Sequence, residues 1–509
     1  MGGGSIQLSA TSVANDYLTS NSNVTFFKKV YKQHTIFSIE SIPVNFDDDP
    51  TFGRETRVRI PRNGDLIHHI TLEITLPKIV TSGATNPDGH PNTIQWSKYL
   101  ALALIKDIEI EIGGRTIDKH TGEAMCINEF LRDNMSDQAL KMYGHKDNLY
   151  NIQVSSADFV QKEDKMYVPL QFWFNRRSQQ ALPLIALSYH DVVLKIEFER
   201  FEKVCHVGPT YVMKNYTATK NSGATAGSDV IVGGTPITNS NGKWIGYLEK
   251  DWVGTDSVLY YHSAAKLTEI HVEDTQGNDF VFSAILANNE VVSKELFKFN
   301  DFDSSVEKDF FTEPDFTARL LVNYIYLDAP ERMKFTNNTH EYLIETLQIP
   351  NPRHISASIQ NIRLPFVHPV KEMIWYSYAI DSHSLFNQKW NFLNTPLHTG
   401  NSALVRANVQ FNGYDRETGE KIYFEKIHPM KYHSGLPLEG VSVYSFALYP
   451  EKLEPSGAAN YSAIDDASLL VNYAWNSKWL NKKYMFNVFA INYNLLVIEG
   501  GMGGLRFSA

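Results

Sequence analysis

Along most of this chain the apolar residues alternate one by one with polar ones, the pattern of strands with one face in a core and the other in water. "ITLEITL" puts Ile70, Leu72, Ile74 and Leu76 on one side and Thr71, Glu73 and Thr75 on the other. "IEIEI" (108–112), "LKIEF" (194–198) and "VRANVQF" (405–411) repeat the scheme. A slip of one residue would turn each apolar row into water, so these registers are expected to be tightly specified. Each half of the chain holds enough such segments for a sandwich of about eight strands, the number used by a jelly roll.

The remaining signals are departures from that alternation. Residues 122–144, "GEAMCINEFLRDNMSDQALKMYG", predict a helix whose buried stripe is Met125, Phe130, Leu131, Ala139, Leu140 and Met142, an excursion from a sheet. Between about Gly208 and Gly254 the chain is rich in Gly, Ser, Thr and Asn, a composition too polar for a core of its own. A surface loop or linker is expected there, decorating the exterior. Near the N-terminus, Val24, Phe26, Phe27, Val30 and Tyr31 fall on one arc of a helical wheel and Thr25, Lys28, Lys29 and Lys32 on the opposite one. This predicts a two-turn amphipathic helix capped by Ser22 or Asn23, too short to persist unless its aromatic face is docked. The first strand follows from Ile36, with Pro43 marking an edge or an end.

"IEIEIGGRTIDKHTGE" (108–123) and "NVQFNGYDRETGE" (408–420) both run strand, glycine, arginine, then Thr-Gly-Glu. Such an echo is what a duplicated unit leaves behind, although turn-rich sequences also share glycine-containing tripeptides by chance.

Composition narrows the function. The 509 residues are 43% hydrophobic and 20% charged, enough for sizeable cores, and the net charge of −10 supplies no excess of Lys and Arg to displace the counterions of a nucleic acid. Direct nucleic-acid binding is therefore not expected. The two cysteines, Cys126 and Cys205, form neither a disulfide framework nor a metal-ligand spacing, which fits a reducing compartment. No stretch is apolar enough to cross a membrane as a helix, and no signal peptide is evident, so the expected site of synthesis is the cytoplasm. "MGGGSI" opens like a myristoylation signal but has Ile6 where Ser or Thr is required.

Candidate chemistry is sparse, and no cofactor or metal is expected. Glu109 and Glu111 share a strand face and could form an acid/base pair, but neighbouring carboxylates on a wet face are the commoner arrangement. Asp47–Asp49, Asp301 and Asp303 lack the spacing of a calcium loop. His68 and His69 point to opposite sides of their strand and cannot readily share a metal. "GGMGG" (500–504) precedes neither a helix nor a Lys-Ser/Thr pair and reads as a turn. Asn23, Asn134, Asn215, Asn337 and Asn460 each open an N-x-Ser/Thr sequon. Asn215, in the expected display loop, is the candidate for glycosylation, and an intact mass equal to the sequence mass of 57.9 kDa would remove it.

"DYLTSNSNVTFFKKVYKQHTIFSIESI" (16–42) resembles the N-terminal signature of the major capsid proteins of nucleocytoplasmic large DNA viruses. Further blocks similar to that family follow in order, among them "VPLQFWFNRRSQQALPLIALSYHDVVLKIEF", "YIYLDAPERMKF", "VHPVKEMIW", "YSFALYPEKLEPSGAANYSAIDDASL" and "AINYNLLVIEGGMGGLRFS". The stretch from about Cys205 to Asp315 matches poorly. The resemblance implies an all-β fold of two tandem eight-stranded antiparallel jelly-roll sandwiches with short helices in loops. The expected layout is an N-terminal arm at 1–23, a first jelly roll at 24–204, a variable loop-rich connection that begins the second at 205–320, and the second jelly roll at 321–509.

It further implies a structural protein without enzymatic activity. Homotrimers of pseudo-hexagonal outline would tile the icosahedral outer shell of a virion, against neighbouring capsomers, minor capsid and penton proteins and an internal viral membrane, after synthesis in the host cytoplasm. Phe26, Phe27, Lys28, Lys29, Tyr31 and Lys32 would form an inner-face contact helix. A carbohydrate-binding jelly-roll attachment protein and a jelly-roll glycosidase stay open as alternatives.

Overall fold

The computed structural model describes residues 34–507 apart from internal stretches, the widest being 82–92, 221–228, 285–296, 380–388, 393–403 and 475–483. Sixteen strands build two sandwiches. The first contains β1 (Phe37–Asn45), β2 (Glu55–Arg59), β3 (Leu66–Leu76), β4 (Ile105–Ile112), β5 (Arg115–Thr121), β6 (Asp164–Pro169), β7 (Val192–Phe198) and β8 (Thr317–Leu327). The second contains β9 (His340–Gln348), β10 (Ile359–Arg363), β11 (Pro369–Ala379), β12 (Leu404–Phe411), β13 (Tyr414–Glu420), β14 (Val441–Ser445), β15 (Ala467–Tyr473) and β16 (Tyr484–Glu499).

The spatial orders are β1-β8-β3-β6 facing β2-β7-β4-β5, then β9-β16-β11-β14 facing β10-β15-β12-β13, with every pair antiparallel. In each sandwich one sheet takes the first, eighth, third and sixth strands and the other takes the second, seventh, fourth and fifth. This shared jelly-roll order turns the weak echo in the sequence into a structural repeat. The echoing segments are the β4–β5 and β12–β13 hairpins. Each turns on two residues of positive φ, Gly113-Gly114 and Asn412-Gly413, as a tight two-residue hairpin requires.

Register follows the alternation. Val44, Leu320, Leu72 and Val168 lie side by side across one sheet of the first sandwich, and Val58, Leu194 and Ile110 across the other. The second sandwich repeats this with Ile362, Leu469 and Val409. All but Val44 are essentially fully buried.

Three expectations need correction. Residues 321–327 belong to the first sandwich, because β8 inserts between β1 and β3 and closes that sheet; the second starts with helix α3 (Ala329–Asn337) and β9. A closing strand carries the same alternation as any other, so its partners were invisible in the linear sequence. Second, the polar segment 208–254 is more than a surface loop, because it builds a core jointly with residues 258–284. Seven strands within residues 210–284 form one sheet, and Met213, Trp252, Tyr261, Phe280 and Phe282 pack together, with Trp252 Nε1 donating to Tyr216 Oη at 2.6 Å. Its apolar residues are thinly spaced in sequence and are gathered only by strand pairing. Third, residues 122–144 form two helices, α1 (Gly122–Leu131) and α2 (Asp137–Met142), whose first-turn amides bond Thr121 and Ser136. Helix α1 is buried on nearly every side rather than along one stripe.

Because the 210–284 sheet has its own core, Phe282→Ala is expected to cost about 3–5 kcal/mol locally. Limited proteolysis should then cut within residues 205–316 while the sandwich fragments stay protease-resistant.

Candidate functional site

The most elaborate polar arrangement is a seam between the two sandwiches. Sheet β9-β16-β11-β14 is buried on both faces over most of its extent, Glu341 and Leu343 of β9 remaining exposed. Met373, Trp375, Phe486, Val488 and Ala490 enter the core of the second sandwich, while Ile374, Tyr376, Val441, Val443, Phe489 and Leu496 join the core cluster of the first. All five residues of β14 are buried. Against this outer face the first sandwich sets α1, the short helix Leu100–Leu104, the edge strand β5 and the connection 171–190.

Several polar groups along the seam are matched across it. Trp390 Nε1 donates to the Lys98 carbonyl at 2.6 Å, and the Gly435 amide donates to the Leu131 carbonyl at 2.8 Å. The Leu347 amide donates to the Asp118 carboxylate at 2.9 Å, and Gln180 Nε2 to the Leu343 carbonyl at 2.7 Å. Tyr376 donates its hydroxyl to Glu123, and Lys389 donates to the Ala103 carbonyl at 2.7 Å with Glu199 at 3.6 Å. Burial lowers the Lys389 pKa, with Glu199 and Glu123 opposing the shift. At the C-terminal end, the Tyr189 amide donates to the Gly501 carbonyl at 2.9 Å.

A buried ion network sits at one end of the seam. Glu345 of β9 accepts from Arg176 of the first sandwich and from Lys371 of β11, the latter at 2.6 Å, and Lys371 also reaches the Pro450 carbonyl at 2.7 Å. Beside it Glu372 lies 3.2 Å from His433, which stands 3.7 Å from Glu451. Arg132 is held down at about 10, first by the neighbouring Arg176 and then by burial, against the pull of Glu345, Glu372 and Glu129. Burial alone would raise the Glu372 carboxyl, but His433, Lys371 and Arg132 overcome it and hold the group at about 2. Low dielectric makes each member depend on its partners, so losing one strands the others.

The remaining sequence candidates occupy other places. Glu109 and Glu111 lie on the wet face of β4 and each carries a lysine, Lys119 on Glu109 at 2.5 Å and Lys195 on Glu111 at 2.5 Å. With Lys106 on Glu197 they form a charge ladder instead of a catalytic pair. His68 Nδ1 lies 2.7 Å from the Phe174 carbonyl, and, against the expectation that the two rings point to opposite sides, its ring rests on His69 with centroids 3.9 Å apart. Among the described residues no three His, Cys, Asp or Glu side chains cluster as metal ligands. Gly500 and Gly501 form the turn from β16 into β17 (Met502–Leu505). Phe26, Phe27, Lys28, Lys29, Tyr31, Lys32 and Asn215 lie outside the described residues.

The sequence reading missed the seam, although β16, "YMFNVFAINYNLLVIE", carried a signal. Its central run Val488–Ala490 breaks the alternation, as a strand covered on both faces does.

Two outcomes test the network. Glu345→Ala leaves Arg176 and Lys371 without their shared carboxylate and is expected to destabilise the chain by about 3–5 kcal/mol in denaturant titration. Glu372, held at about 2 in the fold against 4.5 when free, stabilises fully above its unfolded value and loses that contribution as pH falls toward 2. Thermal melting between pH about 6 and about 2 should therefore show Glu372→Gln weaker at the upper end and less sensitive to acid than the parent.

Comparison with known proteins agrees with this architecture. Residues 25–232 match the family described as major capsid protein N-terminus, and residues 331–504 match the large eukaryotic DNA virus major capsid proteins. The major capsid protein of Pyramimonas orientalis virus is 30% identical, and that of Paramecium bursaria Chlorella virus 1 is 29% identical, each alignment covering 100% of both chains. Among solved structures, the crystal structure of PBCV-1 VP54 fitted into a reconstruction of the virophage Sputnik superimposes with a TM-score of 0.61 at 27% identity, over 95% of this chain and 100% of that one. The Faustovirus major capsid protein shares the fold with a TM-score of 0.63 at 12% identity, over 96% of this chain and 94% of that one. With its two jelly rolls locked along a buried seam and relatives aligned end to end, the chain belongs to the major capsid proteins of large eukaryotic DNA viruses.

Proposed function

We propose that three copies of this chain close into a homotrimer of pseudo-hexagonal outline, and that these capsomers tile the outer icosahedral shell of the virion. The observation that carries this reading is the repeat itself, two sandwiches of identical strand order held in one block. Two similar lobes per chain make six per trimer, so three-fold symmetry can occupy the six-fold positions of a lattice. The role is structural, with no bond-making step. An obligate interface of this kind buries roughly 2,000 Å² or more.

The same reading assigns partners. Capsomers abut one another, with minor capsid and penton proteins beneath and at the vertices, and the shell encloses a viral membrane. Residues 24–32 face inward with Lys28, Lys29 and Lys32 toward anionic lipid or minor proteins, and the acidic chain makes no direct contact with the genome. Synthesis takes place in the host cytoplasm.

Light scattering on the purified protein should give three times the chain mass of 57.9 kDa, and negative stain should show a hexagonal outline. A monomer retained on a sugar column would support an attachment protein instead. Reversing Lys28, Lys29 and Lys32 to Glu should leave trimers intact and lower the yield of closed shells, and an undiminished yield would remove the inward-facing role.

A further inference from the structure

One helical segment of the second sandwich is fastened to its strand through a histidine. After β13, a π-helical turn over Tyr423–Ile427 runs into the helix His428–Tyr432, and both pack on β14. Much of the segment faces water, with Lys426 exposed and Ile427 and Met430 at 53% and 69% exposure. Its inward side chains are Phe424, whose ring meets that of Trp375 edge-on at 5.1 Å, then His428 at 4% exposure and the buried Pro429. The widened turn, an irregularity often found at functional sites, comes directly before the histidine.

The amide of Ser445, the last residue of β14, donates to His428 Nε2 at 2.8 Å. A backbone N–H can only donate, so that nitrogen must be unprotonated and the ring neutral. The surroundings favour the same state. The ring is stacked on Tyr444 with centroids 4.8 Å apart and is flanked by Tyr432 at 4.6 Å and Tyr423 at 5.7 Å. Lys431 and His433 of the same segment oppose a positive charge on it, and Glu372 of β11 is the carboxylate that favours one. Arg416 and Glu417 of β13 act on the flanking Tyr423 and Tyr444. Burial first, then His433 and Lys431, hold the ring down at about 4, against 6.5 for a free histidine. Further along the segment, His433 stands 3.2 Å from Glu372 and the Gly435 amide crosses the seam to the Leu131 carbonyl at 2.8 Å. What holds this helix therefore also holds one end of the seam.

We infer that His428 is an acid-sensitive latch: with a neutral ring it fastens residues 423–435 to β14, and on protonation it releases them. A proton on Nε2 sets two donors against each other and places a cation beside Lys431 and His433 in a site closed by three tyrosines. Release returns the ring to water. Because the folded ring takes up its proton less readily than a free one, the latch is complete above pH 6.5, weakens as pH falls toward about 4, and loses nothing more from this group below that. Glu372, held at about 2, stays ionised across the interval, so the acid response of His428 precedes that of Glu372. A chain carrying this latch keeps one end of its seam closed at neutral pH and loosens it in an acidified compartment. The device acts within a single chain and is independent of the capsomer reading.

The test is amide hydrogen exchange of the full chain, corrected for intrinsic rates, with β3 as the internal reference. Between about pH 7 and about pH 4.5, protection over residues 423–432 and at Ser445 should fall roughly 50-fold relative to β3. His428→Gln, whose side-chain carbonyl can accept from the same amide but takes up no proton, should keep its protection across that range. Unchanged protection in the parent, or a fall in His428→Gln as large as the parent's, overturns the latch. If that variant does not fold, exchange of the His428 ring Cε1 hydrogen in the parent, followed by mass spectrometry, gives the titration directly. A midpoint below 6.5 is expected there, and one at or above it overturns the latch.

Discussion

Burial of both faces of sheet β9-β16-β11-β14 is the constraint on which the rest of the molecule depends. A jelly roll needs only one apolar face per sheet, and the outer face is ordinarily wet. Here the outer face carries Ile374, Tyr376, Val441, Val443 and Phe489, which would be a large exposed apolar patch on an isolated second sandwich. The first sandwich removes that patch from water. Two folds that could have been beads on a string become a single block, and the angle between them is set by side-chain packing rather than by a linker.

The ion network supports the same arrangement in another way. Buried ion pairs are poor sources of net stability, because desolvation offsets most of the attraction, but they are intolerant of misplacement. Arg176 must meet Glu345, and Glu345 must meet Lys371, for none of the three to be stranded. Apolar packing provides the driving force, and the charged groups penalise alternative docking angles. For a shell built of repeated units, a fixed angle between lobes matters more than an extra increment of stability.

Much of this was legible in the sequence and some was not, for physical reasons. Strands β4, β7 and β12 were evident because each buries one face, so that period two survives, while β3 kept its alternation in sequence although Glu73 and Thr75 on its second face are buried as well. The β4–β5 and β12–β13 hairpins announced the repeat through their turn residues, Gly113-Gly114 and Asn412-Gly413, which few other residues can replace. The ownership of β8 was hidden because pairing over a long insertion leaves no local mark. The inserted sheet was hidden because Met213, Trp252 and Phe280 are diluted among polar residues and meet only after folding. The seam was least visible of all, since a strand buried on both faces loses the periodicity by which strands are found. Glu109 and Glu111 show the converse, a suggestive pairing in sequence that resolves into a lysine ladder.

The central claim is that the two sandwiches form one cooperative body. Amide hydrogen exchange across a denaturant series tests it most directly, comparing β3 of the first sandwich with β11 and β16 of the second. The account predicts that all three strands open with the same free energy and at the same denaturant concentration. Exchange of β11 and β16 while β3 stays protected, or the reverse, would show two independent modules and contradict it.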